Sequence, residues 1–237
     1  MEFTEKIPRE KDQETCLRMI DMNVFRNDSL DDFWHAVRFA HVRLTWAGIN
    51  IYKTEQDLRR YFEILAKKDI EVVVETGGQY GGSLLYFMDC LQFLGKTNVP
   101  VISIDIPGSW NEQTLDYPHP HMLIRNDCLD SKTIERILPL IEGKRSLISL
   151  DSVHTKEHVE EELKMYAPLS TIGSYLVIED TDHNGHPIMG NYGPCAWEAT
   201  QEFLSGPLGK RFEVDTGLEA LCGVFTGNPS GWLRCLR

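Results

Sequence analysis

The sequence is short of positive charge. Its 24 Lys and Arg stand against 36 Asp and Glu, a formal net charge of −12. Nucleic acid and anionic membrane surfaces are held by clustered Lys and Arg, so this balance argues against either as the main partner. Long apolar runs are missing too, and none approaches the ~20 residues that cross a bilayer. The six cysteines (Cys16, Cys90, Cys128, Cys195, Cys222, Cys235) are scattered, with no C-x-x-C pair. That spacing excludes a zinc-ribbon pattern and reads as reduced thiols rather than a disulfide framework. Met1 to Glu14 is charged and lacks the apolar core of a leader peptide, so a soluble, cytoplasmic protein is expected. There is no internal repeat, low-complexity segment or clear linker.

What is present is enough for one α/β domain with an N-terminal extension: 237 residues, 42% of them apolar. The expected division is a helical extension over 1–68, covering the substrate and making oligomer contacts, and a ligand-binding domain over 69–237. In the first part, helical spacing predicts helices over about 29–41 and 54–68. From residue 70 strands and helices alternate. Strands are expected at about 71–75, 100–105, 121–124, 146–150 and 174–179, with helices at 82–94, 130–141 and 155–166. A helix at 195–204 follows, then apolar segments 211–214 and 220–226 read as a closing hairpin around Gly217. This order predicts a Rossmann-like α/β fold, a seven-stranded, mostly parallel sheet with a C-terminal antiparallel hairpin, as in class I methyltransferases.

The most telling segment follows the first of these strands. Glu75 and Thr76 close a β-branched run, and Gly77-Gly78 and Gly81-Gly82 lead into a helix at Ser83. A strand, glycine turn and helix N-terminus bring backbone close to a nucleoside. The spacing is G-G-x-x-G-G after an acid, where a carboxylate repels a pyrophosphate and suits a cationic ligand. S-adenosylmethionine meets that description. The plain alternative is a turn whose glycines only let a helix pack on a sheet.

Ligands of such sheets sit beyond the carboxyl ends of the strands. Five consecutive strands end in or are followed by an acid: Glu75, Asp105, Asp127, Asp151 and Glu179-Asp180. Asp105 is placed to accept hydrogen bonds from ribose hydroxyls, and Asn126-Asp127-Cys128 to meet the adenine edge with an amide and a carboxylate. Asp151, Glu179 and Asp180 converge at two neighbouring strand ends. Such a group repels itself unless protonated or bound to a cation, and its oxygen ligands suit Mg²⁺ or Ca²⁺ and suit zinc poorly. His154 is the expected base for a substrate hydroxyl, with His186 and His183 as alternatives. His158 is expected to face solvent or neighbouring acids. Trp46, Trp110, Tyr192 and Trp197 read either as an aromatic wall for the acceptor or as ordinary packing.

Over residues 44–237 the chain resembles the cephalosporin hydroxylase family. The resemblance rests on Trp46-Ala-Gly48 with Lys53 and Asp57, Glu75-Thr-Gly77 with Gly81-Gly-Ser83, and Ile104-Asp105. It continues in Asp151-Ser-Val-His154 with His158-Val and Glu162-Leu-Lys-Met-Tyr-Ala-Pro168, then Gly173-Ser-Tyr-Leu-Val-Ile-Glu-Asp-Thr181. It ends in Asn184-Gly-His-Pro187, Tyr192-Gly-Pro194 with Glu198-Ala199, and Asn228-Pro-Ser-Gly-Trp-Leu233. That family has the fold of S-adenosylmethionine-dependent O-methyltransferases. The resemblance implies a methyl donor under the glycine turn, a nearby Mg²⁺ site, a natural-product or sugar hydroxyl as acceptor, and a homo-oligomer. Val153 replaces an aspartate common in the family's Asp-Ser-Asp-His, and Cys195-Ala196 replaces the second Gly-Pro of its Gly-Pro-Gly-Pro. These departures fall on the metal and acceptor sides and leave the donor side intact. Two rival readings are an NAD-dependent oxidoreductase, disfavoured by the glycine spacing, and a non-catalytic protein of the same fold that binds S-adenosylmethionine or a metabolite.

Overall fold

The computed structural model describes Trp34, Arg38, residues 44–106, Trp110 and residues 116–237. The helix expected over 29–41 lies outside the described residues apart from Trp34 and Arg38. The elements that position the site begin with a two-stranded antiparallel hairpin, β1 (Thr45–Trp46) and β2 (Ile49–Asn50). Helix α1 (Glu55–Lys67) follows, started by Thr54, whose hydroxyl accepts from Asp57 N at 3.1 Å. Leu58, Tyr61, Ile64 and Leu65 form its buried stripe.

Strands β3 (Val72–Thr76), β4 (Val101–Asp105), β5 (His121–Arg125), β6 (Ser146–Leu150) and β7 (Tyr175–Ile178) are parallel. Between them run α2 (Gly82–Phe93), α3 (Ser131–Ile141) and α4 (Lys156–Tyr166). The rest is α5 (Ala196–Ser205), β8 (Phe212–Val214), a short α6 (Thr216–Glu219), β9 (Leu221–Val224) and β10 (Trp232–Cys235). The seven-stranded sheet runs β5-β4-β3-β6-β7-β10-β8, with β10 antiparallel to both neighbours. Its parallel part and antiparallel end are as expected.

The closing hairpin is corrected in its partner. β8 pairs with β10, not with 220–226, and the residues around Gly217 form α6 instead of a tight turn. Asp215 explains the difference, since its carboxylate caps α6 by accepting from Leu218 N at 3.0 Å. Residues 232–235 escaped the expectation because Trp-Leu-Arg-Cys is too short to show alternation.

Both faces of the sheet are covered. Val72 and Val74 of β3 join a core with α3, α4 and α5, while Val73 joins the opposite core with α1 and α2. Each fully buried valine contributes about 1.5–3 kcal/mol. Residues 49–65, upstream of the first sheet strand, belong to that second core. The chain reverses its direction of growth between β3 and β6, which is where a crevice opens in open parallel sheets. The glycine turn after β3 and the Asp151 loop after β6 meet there.

Candidate active site

The turn after β3 is built tightly. Gly77 and Gly81 have φ of +76° and +87°. A Cβ on Gly77 would lie 1.8 Å from the Asp151 carbonyl oxygen, one on Gly78 1.8 Å from Ser103 Oγ, and one on Gly82 2.1 Å from the Asn50 carbonyl oxygen. Here the glycines are required by the neighbouring backbone and by Ser103, which is the packing reading of the motif. The turn still presents a cleft, lined among others by Asn50, Tyr52, Lys53, Gly77, Gly78, Tyr80, Ser83 and Asp151. Its water-sized interior is only ≈ 20 Å³.

At the foot of this turn Glu75 is fully buried. Neither of its oxygens makes a hydrogen bond among the described residues, and Lys53 Nζ stands 3.4 Å away. Burial raises its pKa, against the pull of Lys53. Asp105 accepts from Gln79 N (2.5 Å) and Ile106 N (2.7 Å) at the tip of β4. Burial raises its pKa as well. Each Asp105 oxygen keeps a lone pair for a further donor. Thr76 and Cys128 do not face the cleft. The Thr76 hydroxyl donates to Glu162 Oε1 (2.7 Å), and Cys128 Sγ lies 3.5 Å from both Ser152 Oγ and His158 Nε2. Asp127 is exposed and accepts from Leu129 N at 2.8 Å.

The acids after β6 and β7 meet as the strand pairing requires. Lys53 Nζ, 2% exposed, donates to Asp151 Oδ2 (2.6 Å) and Glu179 Oε1 (2.8 Å). Glu179 also accepts from the Tyr61 hydroxyl, from Ser149 Oγ (3.0 Å) and, on its other oxygen, from Asn228 Nδ2 (2.9 Å). Burial opposes its charge, but Lys53 and Tyr61 win and hold its pKa below the usual carboxylate value. Asp151 goes the other way: burial, with Glu179 and Asp180 adding repulsion, raises it in spite of Lys53. Asp180 sits at φ +56° and receives Arg38, which also donates through Nε to buried Asp182 at 2.7 Å. Asp180, Asp182 and His183 bring one potential ligand atom each within 4.8 Å of one another.

His154 bridges the two acidic loops, its Nε2 3.3 Å from Asp180 Oδ2 and 3.9 Å from Asp151 Oδ1. Burial lowers its pKa, so the ring is neutral near neutrality even beside Asp180. Its ring stacks against His183 at 6.1 Å. Burial works against protonation of His183 too, yet Asp180 and Asp182 raise it. His186 lies elsewhere on the loop, stacked on Trp197 at 4.4 Å with Nε2 3.3 Å from Glu198 Oε1. His158 takes the second of its two expected places, turned inward beside an acid, with Nε2 2.9 Å from Ser152 Oγ and Glu162 close by.

The aromatics divide. Trp46 donates to Asp89 (2.6 Å) and Trp110 packs under Arg125, whereas Tyr192 and Trp197 pack on the site histidines. Lys53, Arg38, Tyr61, Asp182 and Asn228 were given no role by the sequence. The available signal was that Lys53 and Asn228 lie inside segments carrying the family resemblance.

Residues 38–236 match the profile of the family described as Rhamnosyl O-methyltransferase/CmcI. The Rhamnosyl O-methyltransferase of Mycobacterium leprae (strain TN) is 32% identical over 203 residues, 84% of this chain and 86% of that protein. That of Mycobacterium bovis (strain BCG / Pasteur 1173P2) is 30% identical over 203 residues, 84% of this chain and 81% of its own length. A solved structure of CmcI with Mg and SAM superposes with a TM-score of 0.62 at 21% identity, covering 90% of this chain and 86% of that one, a likeness of fold.

Proposed function

The chain belongs to the Rhamnosyl O-methyltransferase/CmcI family, and from that premise we propose that it transfers a methyl group from S-adenosylmethionine to a hydroxyl of a sugar, with a rhamnosyl group as the acceptor to try first. The observation that carries this reading is the charge at the sheet's rim. Five acids (Glu75, Asp151, Glu179, Asp180, Asp182) meet two permanent cations, Lys53 and Arg38. A site with that surplus favours a positively charged ligand, as a sulfonium is, and disfavours the pyrophosphate of NAD.

The residues fit both groups that the family implies. Glu75, buried beside Lys53 with no hydrogen bond among the described residues, and Asp105, with lone pairs to spare, suit the charge and the ribose hydroxyls of the donor. Asp151 and Asp180, with Glu179 behind them, would offer Mg²⁺ hard oxygen ligands on the lone pairs that Lys53 and Arg38 leave, with Asp182 and His183 beside Asp180. When bound, Mg²⁺ supplies orientation of the acceptor oxygen and a lowered pKa for its proton. His154, neutral between Asp151 and Asp180, takes that proton on the ring nitrogen that carries no hydrogen, and Asp180, facing Nε2, stabilises the imidazolium that results. Tyr192 and Trp197 offer apolar ring faces near the same loop for the acceptor. Val153 is exposed and provides no ligand where the family's pattern has an aspartate.

The test is direct. The protein is incubated with S-adenosylmethionine, MgCl₂ and methyl α-L-rhamnopyranoside, and products are read by mass spectrometry. A gain of one methyl group, lost on adding EDTA, is expected. A thermal shift with NAD and none with S-adenosylhomocysteine would overturn the reading. Tight binding of S-adenosylhomocysteine without transfer to any sugar hydroxyl would leave the non-catalytic rival standing.

A further inference from the structure

Beneath the loop that carries Asp151 and His154 lies a buried polar network that the reaction itself does not use. Glu162, on α4, is 1% exposed. Its Oε1 accepts two hydroxyls at once, from Thr76 Oγ1 (2.7 Å) and Ser152 Oγ (2.8 Å). The two come from different strand ends. Thr76 is the last residue of β3 and opens the glycine turn, while Ser152 follows Asp151 at the end of β6. Because Ser152 gives its proton to Glu162, its oxygen accepts from His158 Nε2 at 2.9 Å. Because Thr76 does the same, its oxygen is free to accept the Asp151 backbone N–H at 3.1 Å. His158 and Glu162 sit one helical turn apart on α4, so both reach the same loop. No Lys or Arg forms an ion pair with Glu162 among the described residues.

The geometry points to Glu162 and Ser152 as positioning residues for methyl transfer: through Thr76 they fix the distance between the glycine turn and the Asp151–His154 loop. This rests on the function proposed above. A transferred methyl needs its acceptor oxygen and leaving sulfur in line, and the donor turn and the base stand on separate strands. One carboxylate gripping a hydroxyl from each strand is a direct way to hold them in register. A buried acceptor shared by charged-group hydrogen bonds is stiff, since each bond polarises the next. The tight approach of Gly77 to the Asp151 carbonyl marks the same seam from the other side.

Ser152→Ala, Ser152→Thr and Thr76→Val are compared with the wild type on methyl α-L-rhamnopyranoside, with S-adenosylhomocysteine affinity measured by calorimetry. Misplacement by an ångström costs up to about 10²-fold in rate. Ser152→Ala is therefore expected to lower kcat by about tenfold or more with donor-product affinity unchanged, and Ser152→Thr to recover the rate by restoring the hydroxyl. Thr76→Val, nearly isosteric, is expected to slow kcat likewise and to speed hydrogen exchange at the Asp151 amide. An unaffected kcat in Ser152→Ala, or equal loss in the alanine and threonine variants, overturns the assignment while the proposed function stands. A wild type that methylates no sugar hydroxyl removes both.

Discussion

His154, the proposed base, shows how neighbours set the protonation of a single side chain. A free imidazole titrates near 6.5. Burial lowers that value here, with Asp180 only partly opposing it. The base form thus persists to a lower pH than in a free imidazole. The acid limb of kcat against pH is expected to fall at a pH below about 6.5, and activity is lost as pH drops through the folded-state value. His154→Gln is expected to reduce kcat by about 10²–10⁴-fold while leaving S-adenosylhomocysteine affinity intact by calorimetry. A limb above the free-histidine value, or a variant as fast as wild type, would exclude it as base. The position of this histidine was readable because Asp151-x-x-His154 follows a strand directly. The pairing of the cations with these acids was not readable, although Lys53 lies in a segment that carries the family resemblance. Lys53 is 98 residues from Asp151, and Arg38 is 144 from Asp182. No local pattern encodes a partner at such distance, and a lone Lys after a hairpin looks like any surface lysine.

At the scale of elements, the parallel strands were legible because valine and isoleucine runs ending in acids alternate with amphipathic helices. Strand bounds moved by a residue or so. The antiparallel end was less legible, because three- and four-residue strands carry too few positions to show a period. The glycine turn was found for one reason and is built for another as well. The spacing reads as ligand approach or as packing, and the Asp151 carbonyl, Ser103 and Asn50 press against the same positions. Gly77→Ala therefore meets two penalties, a positive φ and a backbone clash. The expected loss is roughly 2–5 kcal/mol, the sum of about 1–2 for the left-handed conformation and 1–3 for overpacking. Urea unfolding measures it, and an unchanged midpoint would mean that the turn and the Asp151 loop can separate freely.

Across the whole molecule, the excess of acid is not spread evenly in its effect. Much of it is solvated surface, but at one rim the surplus is buried and held together by Lys53 and Arg38, both from segments upstream of the sheet. Their ion pairs to Asp151, Glu179, Asp180 and Asp182 span 98, 126, 142 and 144 residues. Closing loops of that length is slow relative to forming the helices and neighbouring strands between them. In a refolding experiment, far-ultraviolet circular dichroism is accordingly expected to recover before binding of S-adenosylhomocysteine, and simultaneous recovery would contradict this order. If that order holds, the clasp of upstream lysine and arginine is the last part to close: a chain could own its sheet while the rim where Asp151, Glu179, Asp180 and Asp182 gather is still unassembled.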